Sequence, residues 1–301
     1  MLAGHATLWL GAVAAMGCAV ADQPPRLPPT SGEPLQFGLI PEQNIFNQLE
    51  RYEPLALYLG QQVGRKITLM ILPRYGNIID NFKSEGLHGA FFGSFTYVLA
   101  HAKLGVEVVA RPLSLDNSSM YRGLMFTRRA SGIRSCADMR GKRFAFVDRA
   151  TTAGYLLPLR YFQAHQVEWT TYLKEGYFAG THEGAISDVL NGMADVGAAK
   201  NTVFNRMAAA DPRIEKELVV LEQSPEVPEN ALALRKDLDP SLSSRVKEAL
   251  LRMHLDANGK KVLERFGAQR FIETTNADYA AVLKYAAEAQ LDMATYDYLN
   301  D

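Results

Sequence analysis

Short apolar runs alternate with longer amphipathic stretches along the chain from residue 35 onward. The apolar runs predict strands over residues 35–40, 67–72, 88–92 and 106–111. The stretches between them place apolar residues at helical spacing and predict helices over residues 45–62, 77–84 and 95–104. Alternation at this spacing is typical of βαβ units, which form a mainly parallel sheet.

The pattern starts again after residue 112. The second block predicts strands over residues 121–127, 143–147, 196–199, 217–221 and 232–235. It predicts helices over residues 153–165 and 183–191, one more after 199, and C-terminal helices over 241–254, 260–266 and 277 to about 298. Two such blocks predict an α/β protein with two lobes and a cleft between them. In open α/β sheets, ligands bind beyond the carboxyl ends of the strands.

The first 34 residues have a different composition. Residues 1–21 contain no Lys, Arg, Asp or Glu, and their apolar part ends in Ala19-Val20-Ala21. An apolar stretch this short with small residues at its end predicts a secretory signal peptide, cleaved before Asp22. Lipid attachment at Cys18 is the alternative. The Pro-rich residues 22–34 predict an extended tether.

Length, charge and cysteine content narrow the classes of function. The 301 residues are enough for two lobes, predicted over 35–112 and 113–221, with a return to the first lobe over 222–301. A net charge of −1 gives no sign of nucleic-acid binding, so a bound anion must be held by local geometry. After cleavage only Cys136 remains, which we interpret as a structural thiol because no metal-ligand spacing surrounds it.

The strongest candidate for chemistry follows the strand that ends near residue 147. Asp148-Arg-Ala-Thr-Thr-Ala-Gly154 leads from this strand into a helix. Thr151, Thr152 and the small Ala153 would place two hydroxyls and free backbone N–H groups at a helix N-terminus, an arrangement that attracts anions. An ordinary threonine N-cap is the alternative.

Other polar residues also lie next to strand ends. His182 and Glu183 stand at a helix start, and Lys200, Asn201 and Thr202 follow a short strand. Helix capping explains either group equally well. Tyr75, Tyr97 and Tyr121 could donate phenolic hydrogen bonds to an oxyanion, although most tyrosines only pack. The sequence carries no P-loop, G-x-S-x-G or H-E-x-x-H motif, so we expect neither an enzyme nor a metal site.

Several segments of the chain form a recognisable ordered set, which includes Phe37-Gly-Leu-Ile-Pro-Glu42, Arg74-Tyr-Gly-Asn-Ile-Ile79, Gly89-Ala-Phe-Phe-Gly-Ser94, Thr151-Thr-Ala-Gly-Tyr155, Thr181-His-Glu183, Ala194-Asp-Val-Gly197 and Val227-Pro-Glu-Asn230. Taken in this order, they resemble the phosphate, phosphite and phosphonate-binding proteins of ABC transporters, a branch of the type 2 periplasmic binding proteins. The resemblance spans about residues 35–279. It implies a two-lobe fold that closes on its ligand by a hinge motion.

The resemblance also implies roles for individual residues. The oxyanion would bind Thr151, Thr152 and the backbone of Ala153, and the other ligand-binding positions would be Tyr75, Ser94, Tyr121, His182, Glu183 and Asn201. Three positions depart from the family pattern. Ala153 replaces a serine, His88 replaces a common aspartate, and Lys200 stands in the asparagine loop.

We therefore expect a periplasmic, monomeric solute-binding protein without a cofactor, which delivers a phosphorus oxyanion to an ABC permease. The sequence leaves the choice among phosphate, phosphite and a phosphonate open. Lys200, if it faces the cleft, would favour an anionic ligand without a tail. A sensor for a signalling kinase and a binder of another anion, such as a sulfonate, are the alternatives.

Overall fold

Strands and helices follow the alternation of apolar and amphipathic segments. The computed structural model describes Met1 and residues 32–300. Apart from Met1, the predicted signal peptide lies outside the described residues, and so does most of the tether. None of the helices in the described part is both long and apolar enough to cross a membrane.

The described chain contains two sheets, a small two-stranded ribbon and helices that cover the sheets. The strands are β1 Leu35–Leu39, β2 Ile67–Ile71, β3 Gly89–Phe92, β4 Glu107–Ser114, β5 Met120–Tyr121, β6 Gly123–Arg128, β7 Arg143–Phe146, β8 Glu175–Phe178, β9 Val196–Lys200, β10 Leu218–Gln223, β11 Val227–Pro228, β12 Ala231–Leu234 and β13 Ala268–Glu273. The α-helices are α1 Ile45–Val63, α2 Asn77–Ser84, α3 Ser94–Leu104, α4 Leu157–Ala164, α5 Trp169–Tyr172, α6 His182–Leu190, α7 Asn201–Ala210, α8 Pro212–Glu217, α9 Pro240–Arg252, α10 Ala257–Phe266 and α11 Ala280–Glu288. A π-helical turn over Thr152–Leu156 precedes α4.

Lobe 1 is built on the six-stranded sheet, with strand order β13-β4-β12-β3-β1-β2. Strands β3, β1 and β2 are parallel neighbours, whereas β12 and β13 run antiparallel to the strands they pair with. Helices α1, α9 and α10 pack together on this lobe. Buried residues spaced along α1, such as Tyr52, Leu55 and Leu59, give it the apolar stripe that this packing requires.

Lobe 2 is built on the five-stranded sheet, with strand order β10-β6-β9-β7-β8. Strands β9, β7 and β8 are parallel neighbours, and β6 runs antiparallel to both β9 and β10. The chain crosses from lobe 1 to lobe 2 through β5 and returns through β11. These two crossings pair with each other as an antiparallel ribbon. Two sheets flanked by helices and joined by this ribbon confirm the predicted two-lobe α/β fold.

Two helices differ from the sequence prediction. The helix predicted over 153–165 begins as the π-helical turn, and only its second part, α4, is α-helical. The helix predicted from 277 to about 298 ends at Glu288, because Gln290 adopts a left-handed φ of 57°. The chain then runs back along the molecule, where the Tyr296 hydroxyl donates to the carbonyl of Arg149 over 3.0 Å.

Three strands were not predicted from the sequence pattern, and one predicted strand is interrupted. Strands β8, β11 and β13 carry no clear alternation of polar and apolar residues. The strand predicted over 121–127 is interrupted at Arg122, where the backbone passes from the ribbon into lobe 2. Pairing with distant strands, rather than local preference, therefore determines the secondary structure of these segments.

Candidate functional site

Loops at the carboxyl ends of six strands face each other across the two lobes. In lobe 1, β1 leads to Glu42, β2 to Tyr75 and β3 to Ser94. In lobe 2, β7 leads to the Thr151–Thr152 turn, β8 to His182, and β9 ends at Lys200. Because the three strands in each lobe are parallel neighbours, their loops meet at one edge of each sheet. This edge is the usual ligand position in an α/β sheet.

The threonine turn owes its shape to Pro158. A proline has no N–H, so Pro158 cannot donate to the carbonyl of Gly154 four residues earlier. That carbonyl instead accepts from the N–H of Val147 over 3.1 Å, and the turn widens to a π-helix. A side chain at Gly154 would lie 2.3 Å from the Val147 side chain, so only glycine fits there. The N–H groups at the start of a helix have no acceptor within it, and here they begin at Thr152.

Direct hydrogen bonds connect the two lobes at this turn. The N–H of Phe95 donates to Thr152 Oγ1 over 2.8 Å, and Thr96 Oγ1 donates to the carbonyl of Ala150 over 2.8 Å. Ser94 donates its hydroxyl to the carbonyl of Pro228 in the return crossing. All of these side chains are buried. The structure therefore describes the lobes in contact, with the threonine turn against the start of α3.

Asp148 holds the loop before the threonines in place. Its Oδ1 accepts from the N–H of Ala150 over 2.8 Å, and its Oδ2 accepts from the amide of Asn300 over 2.7 Å. Burial raises the pKa of this carboxyl to about 6, although these hydrogen bonds act in the opposite direction. The C-terminal segment thus supports the candidate site from outside.

Two of the predicted tyrosines enter the site, and one does not. Tyr75 is 2% exposed, and its hydroxyl has no hydrogen-bond partner among the described residues. Tyr121 is also buried, and its hydroxyl lies near the Thr152 and Ser94 side chains. Burial raises the pKa of both phenols, so both are neutral donors at pH 7. Tyr97 packs against Tyr279 instead, with ring centroids 4.4 Å apart.

His182 lies in the site as a neutral ring. Its Nδ1 accepts from the N–H of Lys200 over 3.2 Å, and its ring stands edge-on to that of Tyr75 at 6.0 Å. Burial lowers the pKa of His182 to about 3. Because Nδ1 is an acceptor, the proton of the neutral ring is on Nε2, which is then available as a donor.

Glu183 and Asn201 make backbone contacts next to the cluster. Glu183 Oε2 accepts from the N–H of Asn44 over 2.8 Å, which joins the start of α6 to the start of α1 in the other lobe. Asn201 Oδ1 accepts from the N–H of Arg122 over 2.9 Å, where β5 passes into β6. The structure therefore brings Tyr75, Ser94, Tyr121, Thr151, Thr152, Ala153 and His182 together. Four predicted side chains have other partners, because Ser94 and Thr151 donate to the carbonyls of Pro228 and Asp148, and Glu183 and Asn201 accept from backbone N–H groups.

Lys200 occupies the cleft but does not present a free charge. Its Nζ donates to Glu42 Oε1 over 2.6 Å, to Glu229 Oε1, and to Asn230 Oδ1 over 3.3 Å. Burial alone would raise the pKa of Glu42, but Lys200 outweighs it and lowers that pKa to about 2. Burial would lower the pKa of Lys200, and Glu229 and Glu42 instead raise it. The electrostatic reason for expecting Lys200 to attract an anion is therefore weakened.

Glu42, Glu229 and Asn230 lie in segments that carry the family resemblance, but the sequence did not predict a role for them. Their signal was present, since each is a polar residue beside a strand end or a crossing. Phe95 was not predicted as a site residue because it contributes only its backbone N–H, which donates to Thr152. Within the described residues, no three His, Cys, Asp or Glu side chains come together in a way that could hold a metal ion.

Comparison with known families agrees with this geometry. The profile of the ABC transporter, phosphonate, periplasmic substrate-binding protein family matches residues 37–279. The chain belongs to this family. The match runs from β1 to the residues just before α11 and so contains all six of the strand-end loops.

Two curated relatives carry compatible names. The chain is 23% identical over 256 residues to the phosphonates-binding periplasmic protein of Escherichia coli K12, which covers 84% of this chain and 75% of that protein. It is 25% identical over 210 residues to the phosphate-import protein PhnD of Mycolicibacterium smegmatis, which covers 65% of this chain and 64% of that protein. Membership of this family means that the protein functions outside the cytoplasm, as part of an ABC transporter system.

Solved structures share the fold. A binding protein component of an ABC phosphonate transporter from Pseudomonas aeruginosa is 22% identical, with a TM-score of 0.80, covering 85% of this chain and 86% of that one. PhnD1 from Prochlorococcus marinus, solved in complex with methylphosphonate, is 21% identical with a TM-score of 0.76, covering 85% and 98%. The periplasmic aliphatic sulphonate-binding protein of Escherichia coli is more distant, with a TM-score of 0.53.

Proposed function

We propose that this protein captures a small phosphorus oxyanion between its two lobes and presents it to an ABC permease. The observation that carries the proposal is the Tyr75 hydroxyl, which is buried beside the strand-end loops and has no hydrogen-bond partner in the part of the chain that the structure describes. A buried polar group without a hydrogen bond is costly, so such a group points to a missing partner. The names of the relatives and the methylphosphonate bound to PhnD1 support a phosphorus oxyanion as that partner.

The chemistry of the site suits a tetrahedral oxyanion. The N–H groups that begin at Thr152 offer donors at the positive end of a helix. Thr152, Tyr121 and Tyr75 add neutral hydroxyls, and His182 adds an Nε2–H donor. The Thr151 hydroxyl already donates to the carbonyl of Asp148 over 2.6 Å, so this residue shapes the turn that carries the donors. Each charge-assisted hydrogen bond contributes about 1.5–3 kcal/mol, so a handful of them can hold an anion without any lysine or arginine directed at it.

Binding and closure are coupled in this arrangement. Tyr75 and Ser94 come from lobe 1, whereas the threonine turn and His182 come from lobe 2. An oxyanion held by both sets would favour the closed form, in which Phe95 also reaches Thr152. We take Glu183 and Asn201 to position the lobes rather than to touch the ligand, because their side chains bind Asn44 and Arg122.

The N-terminal residues and the two sheets lead to further proposals about export and domain organisation. We propose that residues 1–21 direct export, that residues 22–34 are a tether, and that the mature protein acts as a monomeric binding protein rather than an enzyme. The sheets support lobe 1 over 35–112, lobe 2 over 113–221 and a return to lobe 1 after 222, although α11 contacts helices of both lobes.

The test is a calorimetric titration of the mature protein, freed of carried-over ligand, with phosphate, phosphite, methylphosphonate and ethanesulfonate. Tyr75→Phe removes only the unpartnered hydroxyl. We expect it to leave stability equal or higher and to weaken oxyanion binding about 10- to 100-fold. Tyr279→Phe is the matched control, because that hydroxyl is also buried but its ring packs on Tyr97.

The outcomes separate the alternatives. Binding of one phosphorus oxyanion that is lost in Tyr75→Phe and kept in Tyr279→Phe supports both the function and the site. Preference for ethanesulfonate would move the protein to the sulfonate-binding class. A folded protein that binds none of the four anions would refute the proposal.

A further inference from the structure

The ammonium group of Lys200 lies in surroundings that fully satisfy it. Lys200 is 2% exposed, and its three N–H donors have three acceptors, namely the carboxylates of Glu42 and Glu229 and the amide oxygen of Asn230. The ring of Tyr121 completes the enclosure, with its centroid 4.5 Å from Nζ. Two carboxylates, a carbonyl oxygen and an aromatic face are the groups that proteins use to recognise an ammonium ion.

This ammonium site adjoins the proposed oxyanion site. The Tyr121 ring carries the Lys200 ammonium on its face, and the N–H of Lys200 donates to Nδ1 of His182 over 3.2 Å, so Lys200 touches two side chains of the oxyanion site. For a ligand with an oxyanion at one end and an amine at the other, a set of ammonium-binding groups next to the oxyanion is therefore already filled by Nζ of Lys200.

We propose that Lys200 is a specificity-determining residue, a built-in ammonium that fills an amine subsite and restricts the ligand to phosphorus oxyanions without an amine. This inference rests on the proposed function, since it concerns the ligand of the same site. A second ammonium would meet the charge of Lys200 at close range and would find both carboxylates already paired. A ligand without a tail meets neither obstacle.

Lys200 also joins the lobes. It ends β9 in lobe 2, whereas Glu42 follows β1 in lobe 1 and Glu229 follows the return crossing β11. The ammonium reaches Glu42 only when the lobes are together, so this internal cation favours closure as a ligand's amine bound to Glu42 would.

The specificity test compares methylphosphonate with 2-aminoethylphosphonate by calorimetry in the wild-type protein and in Lys200→Ala. This substitution removes the atoms from Cγ to Nζ and leaves Glu42 and Glu229 without their cation. We expect the wild-type protein to prefer methylphosphonate, and the variant to shift the ratio of affinities by about 100-fold towards 2-aminoethylphosphonate. Lys200→Met, which removes the charge but fills the space, should not gain binding of the amine.

A second measurement tests the ammonium site without any phosphorus compound. Propylammonium replaces the deleted atoms of Lys200, so it should raise the melting temperature, or the refolding yield, of Lys200→Ala. The uncharged propanol should do so far less, and neither should affect the wild-type protein. Equal effects of the amine and the alcohol, no effect of either, or wild-type preference for 2-aminoethylphosphonate would overturn the inference. If the wild-type protein binds no phosphorus oxyanion, the proposed function fails, but propylammonium still tests the site.

Discussion

Replacing Thr152 by valine gives the most direct test of the contact between the lobes. The two side chains have nearly the same shape, so the change removes the hydroxyl and little else. Thr152 is buried, and its Oγ1 accepts from the N–H of Phe95 over 2.8 Å. In the closed form of the variant, this N–H would be buried without an acceptor.

The structure allows the size of the effect to be worked out. A buried donor left without a partner costs about 1–3 kcal/mol, and this cost falls on the closed form because water can reach the N–H when the lobes separate. The hydroxyl itself would donate or accept one hydrogen bond with a charged ligand, worth about 1.5–3 kcal/mol. Loss of the ligand bond alone predicts an affinity that is about 10- to 100-fold weaker, and the cost to closure adds to it.

Calorimetric titration with the oxyanion that the wild-type protein binds measures the affinity, which contains both contributions. Urea unfolding without ligand measures the free energy of unfolding and shows whether the variant is still stably folded. Thr171→Val is the matched control, because Thr171 is exposed on α5 and its hydroxyl donates only to the carbonyl of Glu168. It should change both quantities little. Unchanged affinity in Thr152→Val would show that this hydroxyl neither binds the ligand nor supports closure, and would refute the reasoning.

Two further predictions concern residues around the site. Glu183→Ala removes the partly exposed bond from Asn44 of the other lobe, so we expect about five- to tenfold weaker oxyanion binding, and small-angle scattering should show a more open ligand-free protein. Glu175→Ala, an exposed carboxylate on β8, should do neither. Burial raises the pKa of Asp148 from 3.8 to about 6, so the folded protein binds its proton more tightly than the unfolded chain. Stability relative to Asp148→Asn should therefore fall by about 3 kcal/mol as the pH rises from about 4 to above 6. Urea unfolding at a series of pH values checks this, and a difference that does not vary with pH would contradict it.

The elements with a strong local signal were predictable from the chain alone. Helix α2 spans the predicted residues. Helix α1 ends at Val63, one residue beyond its prediction, because the next residue, Gly64, adopts a left-handed φ of 68°. Such segments carry their own periodicity and their own stop signals, so the rest of the protein adds little. The loops after β1, β2, β3, β7 and β9 could also be chosen in advance, because ligand position in α/β sheets follows from strand direction. Strand β8 was not predicted, so its loop could not be chosen on this ground.

The sequence by itself therefore determined most of the strands and helices, the resemblance to a family and most of the residues that meet at the site. Only the tertiary structure decided what those residues do. The acceptors of Lys200 come from two distant segments, Glu42 after β1 and Glu229 to Asn230 after β11. Glu183 proved to bind the opposite lobe. Hydrogen bonds and ion pairs act over a few ångströms in space, and no spacing along the chain encodes which distant side chains come that close once two lobes fold together.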